Sequence, residues 1–504
     1  MPNVADRFWQ NAIDSPDAAA LRTVDQRIGY GELARRSAAY GAMLRASGIT
    51  VGDRVLLVAP TVPEFVVAYL GAQLIGAVVI TMNTMATAPE IAYVLDDSGA
   101  RFAIAWHDAP DATDRAAAER DIPFRVLPPD AGSDTARPVT GPVPRRGDDT
   151  AVLLYTSGTT GKPKGVELTV DNLIEAARTF ACHFRLAPGE RFGTGLPLFH
   201  VFGQAACLLP VLHSGASLSM VSPFDARAMI ATIRYHRLTV VAGVPTMWNA
   251  MLHTTDGYGP QDFAGLRLAV SGGAALPGEV LRAFSQRFGC RIVEGYGLTE
   301  SAAVATFNPF GRQRVGSVGK PLPGTSAEIR DPDGNALPVD EVGEIFLRGP
   351  NIMKGYWNRP DATADTLADG WLRTGDLGRV DVDGYLYIVD RAKDLIIRGG
   401  YNVYPAEVEE VLYQHPDIVE AAVIGVPDDH YGEEVAAVVV AAPGSRIDPE
   451  QLRAWAKQRL SAYKVPHRWA FTDQLPKGAT GKILKRALDW KQLTEATNQA
   501  STCR

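Results

Sequence analysis

The chain reads as an α/β protein. A large amino-terminal part consists of layered α/β units and a strand-rich segment, and a small α+β unit follows. Three observations support this class. Strand-length apolar runs alternate with helix-length segments up to about residue 320. Residues 321–390 then hold short strand-like runs broken by turns, with Asp331-Pro-Asp-Gly334 the plainest turn signal. After Asp394 the pattern changes to helices and strands of a compact separate unit. A length of 504 residues also exceeds what one hydrophobic core usually serves.

In chain order, Asp53–Ala59 is apolar and of strand length, Glu64–Leu74 of helix length, and Ala77–Thr81 again a strand. Phe65–Thr81 is the most apolar run, but Gly71, Gln73 and Gly76 interrupt it, so a buried helix followed by a strand fits better than a membrane span. Pro128–Asp149, rich in Pro, Gly, Asp and Arg, is expected to be a solvated loop. Ala151–Leu154, Leu238–Val244 and Leu266–Val270 are strands of a second α/β region. Pro405 stands where a helix accepts proline, with Glu407, Glu409 and Glu410 in its early turns and Val408, Val411 and Leu412 as its apolar stripe. Ala421–Val426 and Val435–Val440 are strands, and Pro449–Leu460 is a helix with Leu452, Trp455 and Ala456 on one face. No internal repeat is evident.

The composition, 46% hydrophobic and 21% charged, is that of an ordinary globular protein. A formal charge of −7 argues against nucleic-acid binding, so any phosphate site must be a local basic patch on an acidic body. Cys182, Cys207, Cys290 and Cys503 have no paired-ligand spacing, and the polar, charged start suggests no signal peptide. These features fit a cytoplasmic protein with at most a peripheral membrane contact, and none of them decides between monomer and homodimer.

The most informative run is Tyr155-Thr-Ser-Gly-Thr-Thr-Gly-Lys-Pro-Lys-Gly-Val166. From Thr156 onward, three glycines, four hydroxyl residues and two lysines share eleven positions, which suits a backbone loop wrapped around a polyphosphate. It is not the common P-loop, because Thr156 replaces its first glycine and Pro163 its terminal Ser/Thr. On its own, the run reads equally as a Gly/Thr surface turn. Five further motifs follow: Glu294-Gly-Tyr-Gly-Leu-Thr-Glu300, Thr374-Gly-Asp376, Asp390-Arg-Ala-Lys-Asp394, Gly399-Gly-Tyr-Asn-Val-Tyr-Pro405 and Thr480-Gly-Lys482. Together, and in this order, they resemble the adenylate-forming superfamily of acyl-CoA synthetases, luciferases and peptide-synthetase adenylation domains over nearly the whole chain.

The resemblance implies a large domain, residues 1–392, and a mobile small domain, residues 393–504, hinged at Lys393. It implies ATP, CoA and a carboxylic acid as substrates and Mg²⁺ as cofactor. Thr156, Ser157, Gly158, Thr159, Thr160 and Lys164 would hold the phosphates, and Glu300 with Thr156 would ligate Mg²⁺. Gly272, Gly273, Ala274, Glu294, Gly295, Tyr296, Gly297 and Thr299 would line the nucleotide, with Tyr296 stacking on adenine. Asp376 and Arg391 would hold the ribose, although the same two residues also read as a plain ion pair. Lys482 would be delivered to the substrate carboxylate and α-phosphate, and Gly399, Gly400 and Tyr401 would serve CoA after the small domain turns.

His200, in Pro197-Leu-Phe-His200, resembles a gate near the substrate carboxylate, though a satisfied core histidine reads the same way. With Phe202, Gly203, Thr246, Gly272, Gly297 and Ala302 it would outline the acyl pocket. Malonyl-CoA synthetases carry Arg just before the motif tyrosine. Gly295 stands there in this chain, so malonate is disfavoured unless Arg234 or Arg237 supplies the cation. The pattern looks most like bacterial fatty-acyl-CoA ligases, and a medium- or long-chain monocarboxylate is the expected acid. Aryl, short or dicarboxylic acids are the alternatives, as is loading of a carrier protein in place of CoA. A non-catalytic binder is disfavoured by the intact Glu300, Asp376, Arg391 and Lys482.

Overall fold

The structure is a computed structural model that describes residues 1–132, 138–156, 162–254, 257–445, 447–490 and 493. Among these residues the chain forms four sheets. Two large, mainly parallel sheets lie in the amino-terminal body. One runs, edge to edge, through Lys320–Pro321, Thr306–Phe307, Ile292–Tyr296, Leu268–Ser271, Val240–Gly243, Arg191–Thr194, Ser217–Met220, Ala19–Arg22 and Arg27–Gly29. The other runs through Gly355–Tyr356, Lys164–Thr169, Thr150–Thr156, Val78–Met82, Arg54–Val58, Phe102–Trp106 and Phe124–Leu127.

Strands such as Arg54–Val58 and Val240–Gly243 are nearly continuous apolar runs because helices cover both faces. Helix Pro63–Leu74 is buried along its entire length, and its neighbour Tyr30–Ala46 crosses it where Gly41 meets Gly71. A Cβ on Gly41 would lie 2.7 Å from the Gly71 carbonyl oxygen, so this crossing needs both glycines. One apolar cluster runs from Ala5 to Leu386 and joins both sheets.

The segment from residue 326 to 391 forms an antiparallel sheet of Ser326–Arg330, Gly343–Arg348, Trp371–Val380, Leu367–Ala368 and Leu386–Arg391. Beyond Asp394 a fourth sheet is built on the hairpin Ile418–Asp428 and Gly432–Ala441. It has a separate core that includes Val408, Leu412, Val423, Ala437 and Leu452. Helix Pro405–Tyr413 begins at the expected proline, and helix Pro449–Lys457 ends slightly before the expected Leu460.

Residues 138–149 carry no helix or strand, but they are not simply solvated. Val139 and Arg145 are buried, and the Arg145 guanidinium donates to the carbonyls of Gly76 and Thr150. A guanidinium fork that satisfies several carbonyls at once can be buried despite its charge, which composition alone does not reveal. Among the described residues no helix is long and apolar enough to cross a membrane.

Candidate active site

The carboxyl ends of five parallel strands meet at one cavity of about 2440 Å³. Val78–Met82 and Thr150–Thr156 reach it from one sheet, and Val240–Gly243, Leu268–Ser271 and Ile292–Tyr296 from the other. Ligands of open α/β sheets collect at this end, where loops and unpaired backbone groups converge. The unit after Asp394 forms the opposite wall, with residues of helix Pro405–Tyr413 and of the segment 477–486.

Asp376 is buried midway along strand Trp371–Val380, paired with Arg391 at the end of strand Leu386–Arg391. Its Oδ2 accepts from the Tyr296 hydroxyl at 2.6 Å, and its Oδ1 lies 3.3 Å from Arg391 Nε. Burial raises the Asp376 carboxyl above its ordinary range, and Arg391 opposes that shift. Burial and the Asp376 charge together hold the Tyr296 phenol far above its usual range, so it remains a donor. Asp376 and Arg391, expected at the ribose with a plain ion pair as the alternative, thus stand side by side, with Tyr296 attached to them.

Lys482 enters from the small unit on a tight turn. Gly478 N–H donates to the Lys482 carbonyl at 2.8 Å, and Gly481 takes a positive φ of 79°. The Thr246 hydroxyl donates to the Gly481 carbonyl at 2.7 Å, which seats the turn against the large body. A Cβ on Gly273, itself at φ +84°, would lie 3.0 Å from Lys482 Cε, so glycine leaves the space this lysine uses. Burial first, then Arg391, lowers the Lys482 ammonium to about 8.

Glu300 Oε1 accepts from the Tyr356 hydroxyl at 3.0 Å, and Lys164 Nζ sits 4.9 Å from the centre of the Tyr356 ring. Burial raises the Glu300 carboxyl. Among the described residues no group of three metal-ligating side chains exists. Mg²⁺ bound through one carboxylate and substrate phosphates suits a lone donor such as Glu300, and Thr156 also lines the cavity. Ser157, Gly158, Thr159 and Thr160 lie outside the described residues.

His200 Nδ1 accepts the Phe202 N–H at 3.2 Å, which leaves Nε2 as the donor of the neutral ring. Burial, with the Lys482 charge, lowers His200 to about 3, so its ring is uncharged near neutral pH. The chain then runs into a π-helix, Phe202–Leu208, a form often found beside functional sites. The Phe202 ring packs 3.3 Å from where a Gly272 Cβ would stand. Gly272, Gly297, Thr246, Ala274 and Thr299 also line the cavity. Glu294 lines it too, but its carboxyl is raised by burial to about 8 and accepts from Leu276 N–H at 3.2 Å, holding the 272–276 segment.

The structure corrects several expectations. Ala302 is fully buried at φ 50° and its neighbour Ala303 lines the cavity instead, because consecutive left-handed residues turn the chain there. Gly203 does not line the cavity. Its missing side chain admits the Pro197 carbonyl oxygen, 2.3 Å from where a Cβ would be. Arg234 and Arg237 are exposed and outside the cavity lining, so neither offers a cation to the acyl side. For Gly399, Gly400 and Tyr401 nothing is corrected: they are expected at the site only after the small domain turns, and in this arrangement they lie outside the lining, with Tyr401 stacked on Tyr463 at 4.9 Å. Sequence reasoning missed Tyr356. An aromatic in the short run Gly355-Tyr-Trp357, between turn residues, was the available signal.

Two family models match the chain: the AMP-binding enzyme family over residues 8–357 and the AMP-binding enzyme C-terminal domain over residues 407–482. A feruloyl-CoA synthase from Amycolatopsis sp is 41% identical, covering 94% of this chain and 95% of its own length. A sulfoacetate–CoA ligase from Cupriavidus necator is 39% identical, covering 94% of each. A long-chain-fatty-acid–CoA ligase from Bacillus subtilis is 36% identical, covering 94% and 91%. The structure of ATP-bound MatB from Rhodopseudomonas palustris superposes with a TM-score of 0.90 at 34% identity, over 96% of this chain and 98% of that one. The chain therefore belongs to the AMP-binding enzyme family, as an acyl-CoA synthetase of the adenylate-forming superfamily that works on a small-molecule acid with ATP, Mg²⁺ and CoA.

Proposed function

We propose that this AMP-forming acid–CoA ligase activates a compact aromatic monocarboxylic acid. The observation that carries this reading is the aromatic wall of the acyl side. The Phe202 ring packs against Gly272, and Phe307 fills the space beside Gly295, where a Cβ would come within 2.3 Å of its ring. Phe307 packs in turn on Phe184 at 5.4 Å, and Phe184 on Phe180 at 5.1 Å. Such a wall favours a flat ring by offset or edge contacts. It offers no cation to a second anionic group, which disfavours malonate- or sulfoacetate-like acids. The likeness to a feruloyl-CoA synthase points the same way. A medium-chain aliphatic acid is the second reading, favoured by the apolar lining at about 0.8 kcal/mol per buried CH₂ and by the fatty-acid-ligase relative.

In the first half-reaction an acid carboxylate oxygen attacks the α-phosphorus of ATP. The new P–O bond forms as the bond to the β-phosphate breaks, and pyrophosphate leaves. His200 Nε2–H orients the carboxylate without protonating it, and the Lys482 ammonium neutralises the negative charge that gathers on the phosphorus oxygens. Tyr296, Asp376 and Arg391 fix the nucleoside, with Asp376 accepting from the ribose hydroxyls. Glu300 and Thr156 would hold Mg²⁺, which supplies charge neutralisation at the phosphates. In the second half-reaction the CoA sulfur attacks the acyl carbon, its proton passes to solvent, and the C–O bond to AMP breaks. The small domain, residues 393–504, turns about Lys393 between the two steps and brings Gly399, Gly400 and Tyr401 to the pantetheine.

Pyrophosphate release with ATP and Mg²⁺ across benzoates, cinnamates, straight-chain acids and dicarboxylates, with thioester detection when CoA is added, tests this reading. Aryl acids should lead the panel, and a clear preference for long straight chains would overturn the substrate class. Lys482→Ala should slow pyrophosphate release by at least about a hundredfold while largely sparing thioester formation from supplied acyl-AMP.

A further inference from the structure

We propose, building on the two-pose reading above, that Asn249 and Glu410 form a latch between the two bodies. They are positioning residues that hold the small unit in place for adenylation and must let go before thioester formation. Asn249 lies on helix Pro245–Leu252 of the large body, one turn after Thr246, so both face the same way. Its side-chain amide is buried and donates to the Val419 carbonyl of the small unit at 3.0 Å. Glu410 lies on helix Pro405–Tyr413 of the small unit, and its carboxylate accepts from Gly278 N–H at 2.9 Å. Gly278 is the first residue of helix Gly278–Phe288, whose leading N–H groups have no partner within the helix and favour an anion.

With the Thr246–Gly481 bond, these contacts flank the Lys482 turn. They are polar and local, so they can be exchanged for water when the bodies part. The apolar cores of the two bodies are separate, and among the described residues Tyr413 is the small-unit side chain that packs against the apolar cluster around Trp248. The placement of Lys482 over the cavity thus depends on a few directional bonds, so removing one should shift the balance of poses.

Single-turnover pyrophosphate release and thioester formation from supplied acyl-AMP are measured for Asn249→Ala, Glu410→Ala, Glu410→Gln and Gly278→Ala, using the best acid of the panel. Asn249→Ala and Glu410→Ala should each slow adenylation about tenfold and leave thioester formation unchanged or faster. Glu410→Gln keeps an acceptor and should recover most of the rate. Gly278→Ala favours its helix, so the melting temperature should not fall, yet its Cβ would come 2.8 Å from Glu410 Oε1 and should slow adenylation. Equal loss of both half-reactions in these variants, or no loss of adenylation, would overturn the latch. Lys482→Ala measured alongside separates the two ideas. If it splits the half-reactions while the latch variants do not, only the latch fails. If it lowers both equally, the two-pose reading fails.

Discussion

Lys482 occupies a cavity that weakens its own charge, and the consequence is a pH profile. Burial and Arg391 lower its ammonium to about 8, and only the protonated form neutralises phosphate. The kcat/KM for ATP, which reports the free enzyme, should therefore fall as pH rises through about 8. The arm in kcat should lie higher, because bound polyphosphate stabilises the ammonium. His200 is held near 3. It should therefore add no arm between about pH 5 and about pH 8, the interval in which an ordinary histidine titrates. A pH–rate profile checks both statements, and Lys482→Arg, charged throughout, should lose the alkaline arm at a lower overall rate.

At the scale of elements, close approach decides more than propensity does. Gly295 sits on strand Ile292–Tyr296 against the Phe307 ring and the Thr306 carbonyl. Gly295→Ala should cost about 1–3 kcal/mol by overpacking, read from urea unfolding, and should narrow the acyl side. This contact was not legible in the sequence, because Phe307 reaches Gly295 only through strand pairing in the folded sheet. The same holds for Gly203 against Pro197 and for the turn that brings Ala303 to the cavity in place of Ala302. By contrast, the strands at Arg54–Val58 and Val240–Gly243 and the helix starting at Pro405 were legible, because apolar periodicity and proline position act locally. Asp376, Arg391, Tyr296 and Lys482 were legible through motifs, and the structure brings them to one cavity. Asn249 and Glu410 carried no motif, since their partners are backbone groups of the other body.

For the whole molecule, the two bodies meet through the short helix Ala392–Asp394, where Lys393 is the proposed pivot. Lys393→Pro fixes one backbone angle and should restrict the turn. Pyrophosphate release should persist while thioester formation from supplied acyl-AMP falls about tenfold or more, measured by separate half-reaction assays. Loss of both steps together would place the pivot elsewhere.

The cavity draws its walls from both bodies, and Lys482 belongs to the same unit as the wall that faces the large body. On the proposed two-pose reading, the shut arrangement would keep stray water from the labile mixed anhydride. On that reading, opening would remove Lys482 in the same stroke that admits the sulfur. A single hinge would thereby set the order of events and confine wasteful hydrolysis to the interval between lids.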